Sequence, residues 1–193
     1  MRIGVLALQG DFAEHRVVLA RLGVETVEVR LPRDLNGIDG LVMPGGESTT
    51  IGKLAHDYGL EQPIRDMAGS IAMWGTCGGL VFMARDVGVD QPILAIVDMV
   101  VQRNAFGRQV DSFEEDLDMA CLRGEPYHGV FIRAPVIVSV GPDVEVLGKL
   151  KDGRIVAVRQ GRLMATSFHP ELTADDRLHR FFLELAAGNG NRS

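Results

Sequence analysis

Cysteine is nearly absent from this chain: there are two in 193 residues, Cys77 and Cys121. Two thiols make no disulfide framework, and two ligands alone make no zinc site. Such sparse usage fits a reducing, cytoplasmic compartment. A basic surplus is missing as well. Lys and Arg number 20 against 26 Asp and Glu, giving a formal net charge of -6 and a pI near 5.3. Without excess positive charge to neutralise phosphates, a nucleic-acid partner is not expected. Long apolar runs are lacking too. None approaches the ~18 residues of a membrane span, and the run Ile3–Leu8 is too short for a signal-peptide core. There are no repeats, no low-complexity tracts and no long linker. What is present is 46% hydrophobic and 24% charged residues, enough for a sizeable core. The length suits one α/β domain or a domain with a small extension.

The stretch around which the chain is organised is Met73-Trp74-Gly75-Thr76-Cys77-Gly78-Gly79-Leu80. Ile71–Trp74 has the length of a buried strand, and Leu80–Met83 can begin a helix. Between them Gly75-x-Cys77-x-Gly79 reads as a sharp strand-to-helix turn with the thiol at its tip. A residue in such a turn is strained, so its neighbours two places away must be nearly free of side chain. The logic is that of the G-x-S-x-G nucleophile elbow with sulfur in place of oxygen. A thiol at a helix N-terminus faces unpaired N–H groups, an environment that favours thiolate. The same stretch alone is equally compatible with a cysteine that only packs.

Taken in order, Ile3–Leu8 reads as a central parallel strand covered on both faces. Asp11 with Glu14 reads as a helix N-cap pair, the helix ending near Leu22–Gly23. Val24–Val29 makes a second strand and Leu41–Met43 a third, so the opening is a βαβ unit. The third strand stops at Pro44-Gly45-Gly46-Glu47-Ser48-Thr49-Thr50, where paired glycines allow backbone N–H groups close to a ligand. Ser48, Thr49 or Thr50 is expected to cap the next helix. The loop lacks the Gly-Lys-Ser/Thr of a P-loop, and by itself it reads as a plain turn with an N-cap. A further helix covers Leu60–Met67. After Asp86 come short β-type segments: Ile93–Ile96, Asp98–Gln102, Val110–Phe113, Val130–Ile132, Val136–Val140, Val144–Leu150, Ile155–Gln160 and Leu163–Phe168. Hairpin turns are expected at Lys151–Arg154 and Gln160–Arg162. These extend the parallel sheet with antiparallel strands. An amphipathic helix over Asp175–Ala187, with Leu178, Phe181, Phe182 and Leu185 on one face, closes a single domain of residues 1–187. Residues 188–193 are expected to fray.

Ser167-Phe168-His169-Pro170-Glu171 follows the last strand. Residues two apart in an extended segment point the same way, so Glu171 can hold the His169 imidazole. A cysteine nucleophile needs such a base, and the base an orienting group. Taken alone, the pair is as readily a strand end and a solvated charge.

Three pieces occur in this order, each at a strand's end: Pro44-Gly45-Gly46-Glu47-Ser48, Gly75-Thr76-Cys77-Gly78-Gly79 and His169-Pro170-Glu171. Together they resemble the class I (triad) glutamine amidotransferases. Further stretches narrow the resemblance: Leu8-Gln9-Gly10, Gly45–Thr50, Arg103–Phe113, Gly129–Pro135 and Ser167–Thr173. With these the chain looks like the glutaminase-subunit family of pyridoxal 5'-phosphate synthase over nearly its whole length. One departure is Gly78, where that family usually carries Ala. The resemblance implies a three-layer, doubly wound, flavodoxin-like α/β fold with a mostly parallel sheet and added antiparallel strands. It implies hydrolysis of L-glutamine by a Cys77–His169–Glu171 triad through a thioester, with no metal and no cofactor. It further implies glutamine contacts from Gly46, Glu47, Ser48, Arg103, Ile132 and Arg133. Oxyanion donors are expected from Gly78 and the Gly45–Gly46 loop, ammonia transfer to a synthase subunit, and docking near Gln9 and Gly10. His15, His56, His128 and His179 carry no supporting motif, and Cys121 is expected only to pack. Two other readings stand beside this one: the glutaminase subunit of a different amidotransferase, or a non-catalytic Cys-elbow protein that binds or senses redox state.

Overall fold

Strands that alternate apolar residues to both faces need cover on both, and this chain supplies it with helices on each side. In a computed structural model describing residues 1–103 and 112–188, the chain builds one large sheet and one small one. The first strand, β1 (Arg2–Leu6), is followed by α1 (Phe12–Arg21) and β2 (Glu25–Val29). A 3₁₀ turn leads to β3 (Gly40–Met43), then α2 (Ser48–Asp57) and α3 (Glu61–Met67). Next come β4 (Ala72–Thr76), α4 (Gly78–Met83), β5 (Ala84–Asp86) and β6 (Val97–Gln102). The second half is β7 (Ser112–Leu117), β8 (Tyr127–Ile132), β9 (Val136–Val140), β10 (Glu145–Lys149), β11 (Ile155–Gln160) and β12 (Leu163–Thr166). Helix α5 (Arg177–Ala186) closes it.

The large sheet runs β2-β1-β3-β4-β12-β11-β9-β6-β5, with β10 on β11. From β2 to β12 the pairings are parallel, and β11 pairs antiparallel with its neighbours β12, β9 and β10. This is the expected architecture: a mostly parallel, three-layer sheet with antiparallel additions. Both expected hairpin turns join antiparallel neighbours, β10 to β11 and β11 to β12.

Side-chain alternation divides the core in two. Leu41, Met43 and Met73 face Ile51, Ile64, Leu80 and Phe82 of α2, α3 and α4. Val42, Ala72 and Trp74 face Leu19 of α1 and Leu178, Phe182 and Leu185 of α5. The three α5 residues recur at helical spacing, and burying each contributes roughly 1.5–3 kcal/mol. Trp74 is fully buried, and its indole N–H donates to Thr166 Oγ1 at 3.1 Å, so no polar group is stranded there.

Several expectations need correction. Ile93–Ile96 is not a strand. Ala95 has φ 54, and the N–H groups of Leu94 and Ile96 donate to Phe82 and Met83 carbonyls instead of a ladder. Strands β7 and β8 form a separate antiparallel pair rather than joining the large sheet. They bury Leu117, Tyr127 and Phe131 in the same core as Phe168. Helix α2 is capped by none of Ser48, Thr49 and Thr50. Glu47 caps it, its carboxylate accepting from Thr49 N–H at 3.2 Å and Thr50 N–H at 2.7 Å. Residues Val110 and Asp111 of one expected strand, and 189–193 of the expected frayed tail, lie outside the described residues.

The turn after β4 works only because backbone passes backbone. A Cβ on Gly79 would stand 1.9 Å from the Met43 carbonyl oxygen, which belongs to the neighbouring strand and has no room to yield. Gly79→Ala is therefore expected to destabilise the fold by more than about 2 kcal/mol, whereas at open sites the change stays within about 0.5 kcal/mol. Gly69 is such an open site, with nothing within 4 Å of a Cβ, so Gly69→Ala is the control. Urea unfolding of the two variants checks this; equal stability would show that the strand end gives way.

Candidate active site

Parallel pairing of β4 with β12 places Thr76 opposite Thr166, so the chain leaves both strands at the same edge of the sheet. Cys77 follows Thr76 directly, and its N–H donates to Thr166 O at 2.8 Å. It takes φ 45 and ψ -104, a strained conformation for a residue with a side chain. His169 follows β12, pinned by its N–H to Val130 O at 2.9 Å. Pro170 opens a short 3₁₀ turn that carries Glu171. The expected elbow, base and orienter thus converge from adjacent strands, and all three are buried.

His169 Nδ1 lies 2.8 Å from Glu171 Oε1. The opposite nitrogen, Nε2, is buried and makes no aligned hydrogen bond. It is the nitrogen left for the thiol. Burial alone would lower the His169 pKa, but hydrogen bonding with Asp11, Cys77 and Glu171, together with the charge of Cys77, outweighs it and pushes the group up to about 12. Glu171 shows the converse. Burial would raise it, but the charge of His15 beside it, then the hydrogen bond and charge of His169, hold it well below the usual carboxylate range. The pair is therefore imidazolium against carboxylate.

Around the thiol is a cavity of about 460 Å³, lined by Gln9, Gly10, Gly46, Glu47, Ser48, Cys77, Gly78, Arg103, Ile132, Arg133 and His169. Apart from Gly45 and Glu171, which sit just behind it, every residue expected in the site lines this cavity. A larger groove of about 540 Å³, between Asp116 and Lys151, contains none of them. Arg103 is held by Glu47 Oε1 at 3.1 Å, Thr49 Oγ1 at 3.0 Å and Gln91 Oε1 at 2.7 Å. Glu47 titrates below its ordinary value; burial opposes this, and hydrogen bonds from Thr50 and Thr49 overcome it. Ile132 presents its carbonyl 3.9 Å from Cys77 Sγ, and Arg133 beside it has φ 43.

The Gly45–Gly46 loop is braced from behind. Gln9 Oε1 accepts from Glu47 N–H at 2.7 Å, and Gly45 O accepts from Asp11 N–H at 3.1 Å. Gly78 explains how closely the loop lies. A Cβ there would stand 2.2 Å from the Gly46 carbonyl oxygen, so the loop fills the space an alanine would occupy. The elbow is therefore closed by the loop at the place where the resembling family usually carries an Ala side chain.

Three contributors escaped the reading of the sequence. Asp11 does not cap α1 with its side chain; its carboxylate lies 3.3 Å from His169 Nδ1. Residue 11 looked like a helix start, and nothing local distinguished the two uses. His15 Nε2 lies 3.2 Å from Glu171 Oε2, and His15 Nδ1 lies 3.1 Å from His179 Nε2. Both histidines are fully buried. Their signal was faint: a histidine on the inward face of each of two amphipathic helices. Asp11, His169 and Glu171 are also the one group among the described residues with donor atoms close enough for a metal ion. Glu171 already engages the His169 nitrogen such an ion would need.

A strained cysteine at a strand-to-helix turn, backed by a His–Glu pair on a doubly wound sheet, is the arrangement of a triad amidotransferase. Residues 5–187 match the SNO glutamine amidotransferase family, and the chain belongs to it. It is 55% identical over 190 residues to pyridoxal 5'-phosphate synthase subunit PdxT of Chloroflexus aurantiacus, covering 96% of this chain and 100% of that one. It is 57% identical over 188 residues to a PdxT of Thermus thermophilus, covering 95% of this chain and 97% of that one. A crystal structure described as a glutamine amidotransferase superposes with a TM-score of 0.91 at 55% identity, covering 96% of this chain and 98% of that one. The PurLQS structure from Thermotoga maritima shares the fold alone, with a TM-score of 0.73 at 16% identity over 98% of this chain and 96% of that one.

The buried histidines leave a mark on acid stability. Burial, and then the charge of His15, push His179 down to about 3 from 6.5. Within that window the unfolded chain binds the extra proton, so stability falls as pH falls, by roughly 1.4 kcal/mol per unit. His179→Gln keeps an amide nitrogen towards His15 and does not titrate. Urea melts at pH 6.5 and 4.5 should show a clearly shallower loss for the variant, since the carboxylates titrate alike in both; equal losses would mean that His179 is protonated in the fold.

Proposed function

We propose that this chain is the glutaminase subunit of a pyridoxal 5'-phosphate synthase, cleaving L-glutamine to L-glutamate and ammonia and passing the ammonia to the synthase subunit. The observation that carries the mechanism is the convergence of Cys77, His169 and Glu171 on one cavity, with the 2.8 Å His169–Glu171 contact fixing the imidazole. The relatives named as synthase subunits support the partner, and the cytoplasm is the compartment that fits.

The Cys77 sulfur attacks the side-chain amide carbon, and the carbonyl π pair moves to oxygen. The tetrahedral intermediate collapses, the C–N bond breaks, and His169 gives its proton to the departing nitrogen, so ammonia leaves and a thioester remains. Water then attacks the thioester, His169 taking its proton, and the C–S bond breaks to give glutamate. Glu171 holds His169 in register through both halves. At the amino-acid end of glutamine, Arg133 supplies a cation for the carboxylate and Glu47 an acceptor for the ammonium, with Arg103 fixing Glu47 in place. Gly46, Ser48 and Ile132 line the path between. The oxyanion takes its donors from Gly78 N–H and the Gly45–Gly46 loop.

Glutamate release by the purified chain with its cognate synthase tests the triad. Cys77→Ala should abolish it, and His169→Asn should cost nearly as much because residues acting as a unit are non-additive. Glu171→Gln should cost less, since it keeps an acceptor for the imidazole. Substantial turnover by Cys77→Ala would sink the assignment.

The loop makes the isolated chain a poor glutaminase that docking switches on. Gly46 turns its carbonyl oxygen towards Gly78, where a donor is needed. One missing donor costs ~3 kcal/mol, more than a hundredfold in rate. Gln9 and Gly10 brace this loop at the sheet edge and are the candidate contacts of the synthase. Glutamate production should rise strongly on adding the synthase. Gly78→Ala, whose Cβ pushes the Gly46 carbonyl away, should raise the rate of the isolated chain. Equal rates with and without synthase would refute switching, and an unchanged basal rate in Gly78→Ala would show that the loop position is not what limits it.

A further inference from the structure

Behind the triad lies a second buried polar group that the proposed mechanism does not use. Glu171 has two carboxylate oxygens. Oε1 faces His169; Oε2 faces the other way, into the layer between the sheet and helices α1 and α5, and is 3.2 Å from His15 Nε2. The same His15 nitrogen is 3.2 Å from Thr76 Oγ1, the hydroxyl of the residue immediately before the nucleophile. On its far side His15 Nδ1 meets His179 Nε2 at 3.1 Å. The ring of His179 packs edge-on against Trp74, centroids 4.9 Å apart, and that of His15 does so at 5.7 Å.

We infer that His15 is a positioning residue for the glutaminase reaction, and that it clamps the free oxygen of Glu171 from the side opposite His169 while tying that carboxylate to the end of β4. The inference rests on the triad reading given above. A bare nitrogen lone pair 3.2 Å from a carboxylate oxygen would be repelled, so His15 carries a hydrogen at Nε2, aligned on Thr76 Oγ1 with its positive edge beside Glu171 Oε2. Thr76 Oγ1 is the acceptor of that hydrogen, which fixes the ring edge against the carboxylate. A neutral His179 sets the orientation of the His15 ring through the remaining nitrogen pair. The arrangement parallels the outer partners that orient ligating and catalytic histidines elsewhere.

Packing alone does not account for the pair. Both rings pack on Trp74, which in turn lies against Phe182, and two apolar side chains would fill that space with no polar group to satisfy. Instead the layer carries two imidazoles, and His179 Nδ1 is buried without a hydrogen-bond partner. Such a group is a standing cost to the fold. What the pair provides is a positive N–H edge beside Glu171 Oε2, which has no aligned hydrogen bond of its own. Without it nothing positive faces that buried oxygen, the carboxylate is free to turn or to take up a proton, and His169 loses its anchor.

The test is steady-state glutamate release with the cognate synthase present, for His15→Leu and His15→Gln alongside Cys77→Ala. Leucine fills the volume and removes the donor; glutamine places an amide nitrogen near the position of Nε2. His15→Leu should lower kcat by about tenfold to a hundredfold with KM little changed, and His15→Gln should recover most of that loss. A packing role predicts the reverse order, with leucine tolerated at least as well as glutamine, and that result overturns the inference. If Cys77→Ala is inactive while His15→Leu keeps the wild-type kcat, only this inference fails; if Cys77→Ala turns over, the triad reading fails and this falls with it. Should His15→Leu not fold, nitrogen-15 spectra of the histidine rings in the wild-type chain decide. A protonated Nε2 on His15 is expected, and a bare Nε2 refutes the clamp.

Discussion

The parallel pairing of β4 with β12 is the constraint on which the site depends. These strands are separated by most of the second half of the chain, yet their register sets Thr76 against Thr166. The residues leaving each strand therefore emerge side by side at one sheet edge. Cys77 comes from one and the His169–Glu171 pair from the other. A shift of one residue would turn every side chain of β12 to the opposite face and carry the base away from the thiol. The register is held by burial on both faces: Met73 and Ala165 lie in one core, Trp74 and Met164 in the other. The Trp74–Thr166 hydrogen bond then ties the two strands together across the pair.

Strain and close approach complete what register begins. Cys77 is forced to positive φ, so its sulfur stands clear of the strand and faces the cavity. Its neighbours are glycines because carbonyl oxygens of adjacent segments occupy the places their side chains would take. At Gly79 the neighbour is Met43, part of a strand; at Gly78 it is Gly46, part of a loop. The first contact is structural and cannot relax. The second is with a loop of two glycines, held through Gln9 and Asp11, and that difference separates a fixed elbow from the adjustable loop of the proposed oxyanion site.

The electrostatics form a single chain of groups. His169 sits between the sulfur and Glu171, and the carboxylate stays ionised in a buried place because imidazoles face it on two sides. Buried charges persist only when paired, and here the pairing crosses from α1 to the turn after β12. Exposed ion pairs such as Arg154 with Asp152 contribute little to stability.

Much of this was legible in the order of residues. Apolar runs bounded by glycine marked the parallel strands, hairpin turns marked the antiparallel ones, and three short motifs marked nucleophile, loop and base. Each signal is local, made of neighbours in the chain whose spacing matches a strand, a turn or a helix. Where local signals failed, a tertiary partner took over. Ile93–Ile96 has the composition of a strand, but its N–H groups go to the end of α4. Asp11 has the form of a cap, but its carboxylate goes to His169, and Glu47 caps α2 where the hydroxyls of the next three residues were expected to. His15 and His179, 164 positions apart, meet only because α1 and α5 cover the same face of the sheet. Residue order fixed most element types and singled out the side chains proposed to react. Only the packed sheet decided which polar groups share a buried space, because hydrogen-bond partners across layers are chosen by register and packing and leave no periodic trace along the chain.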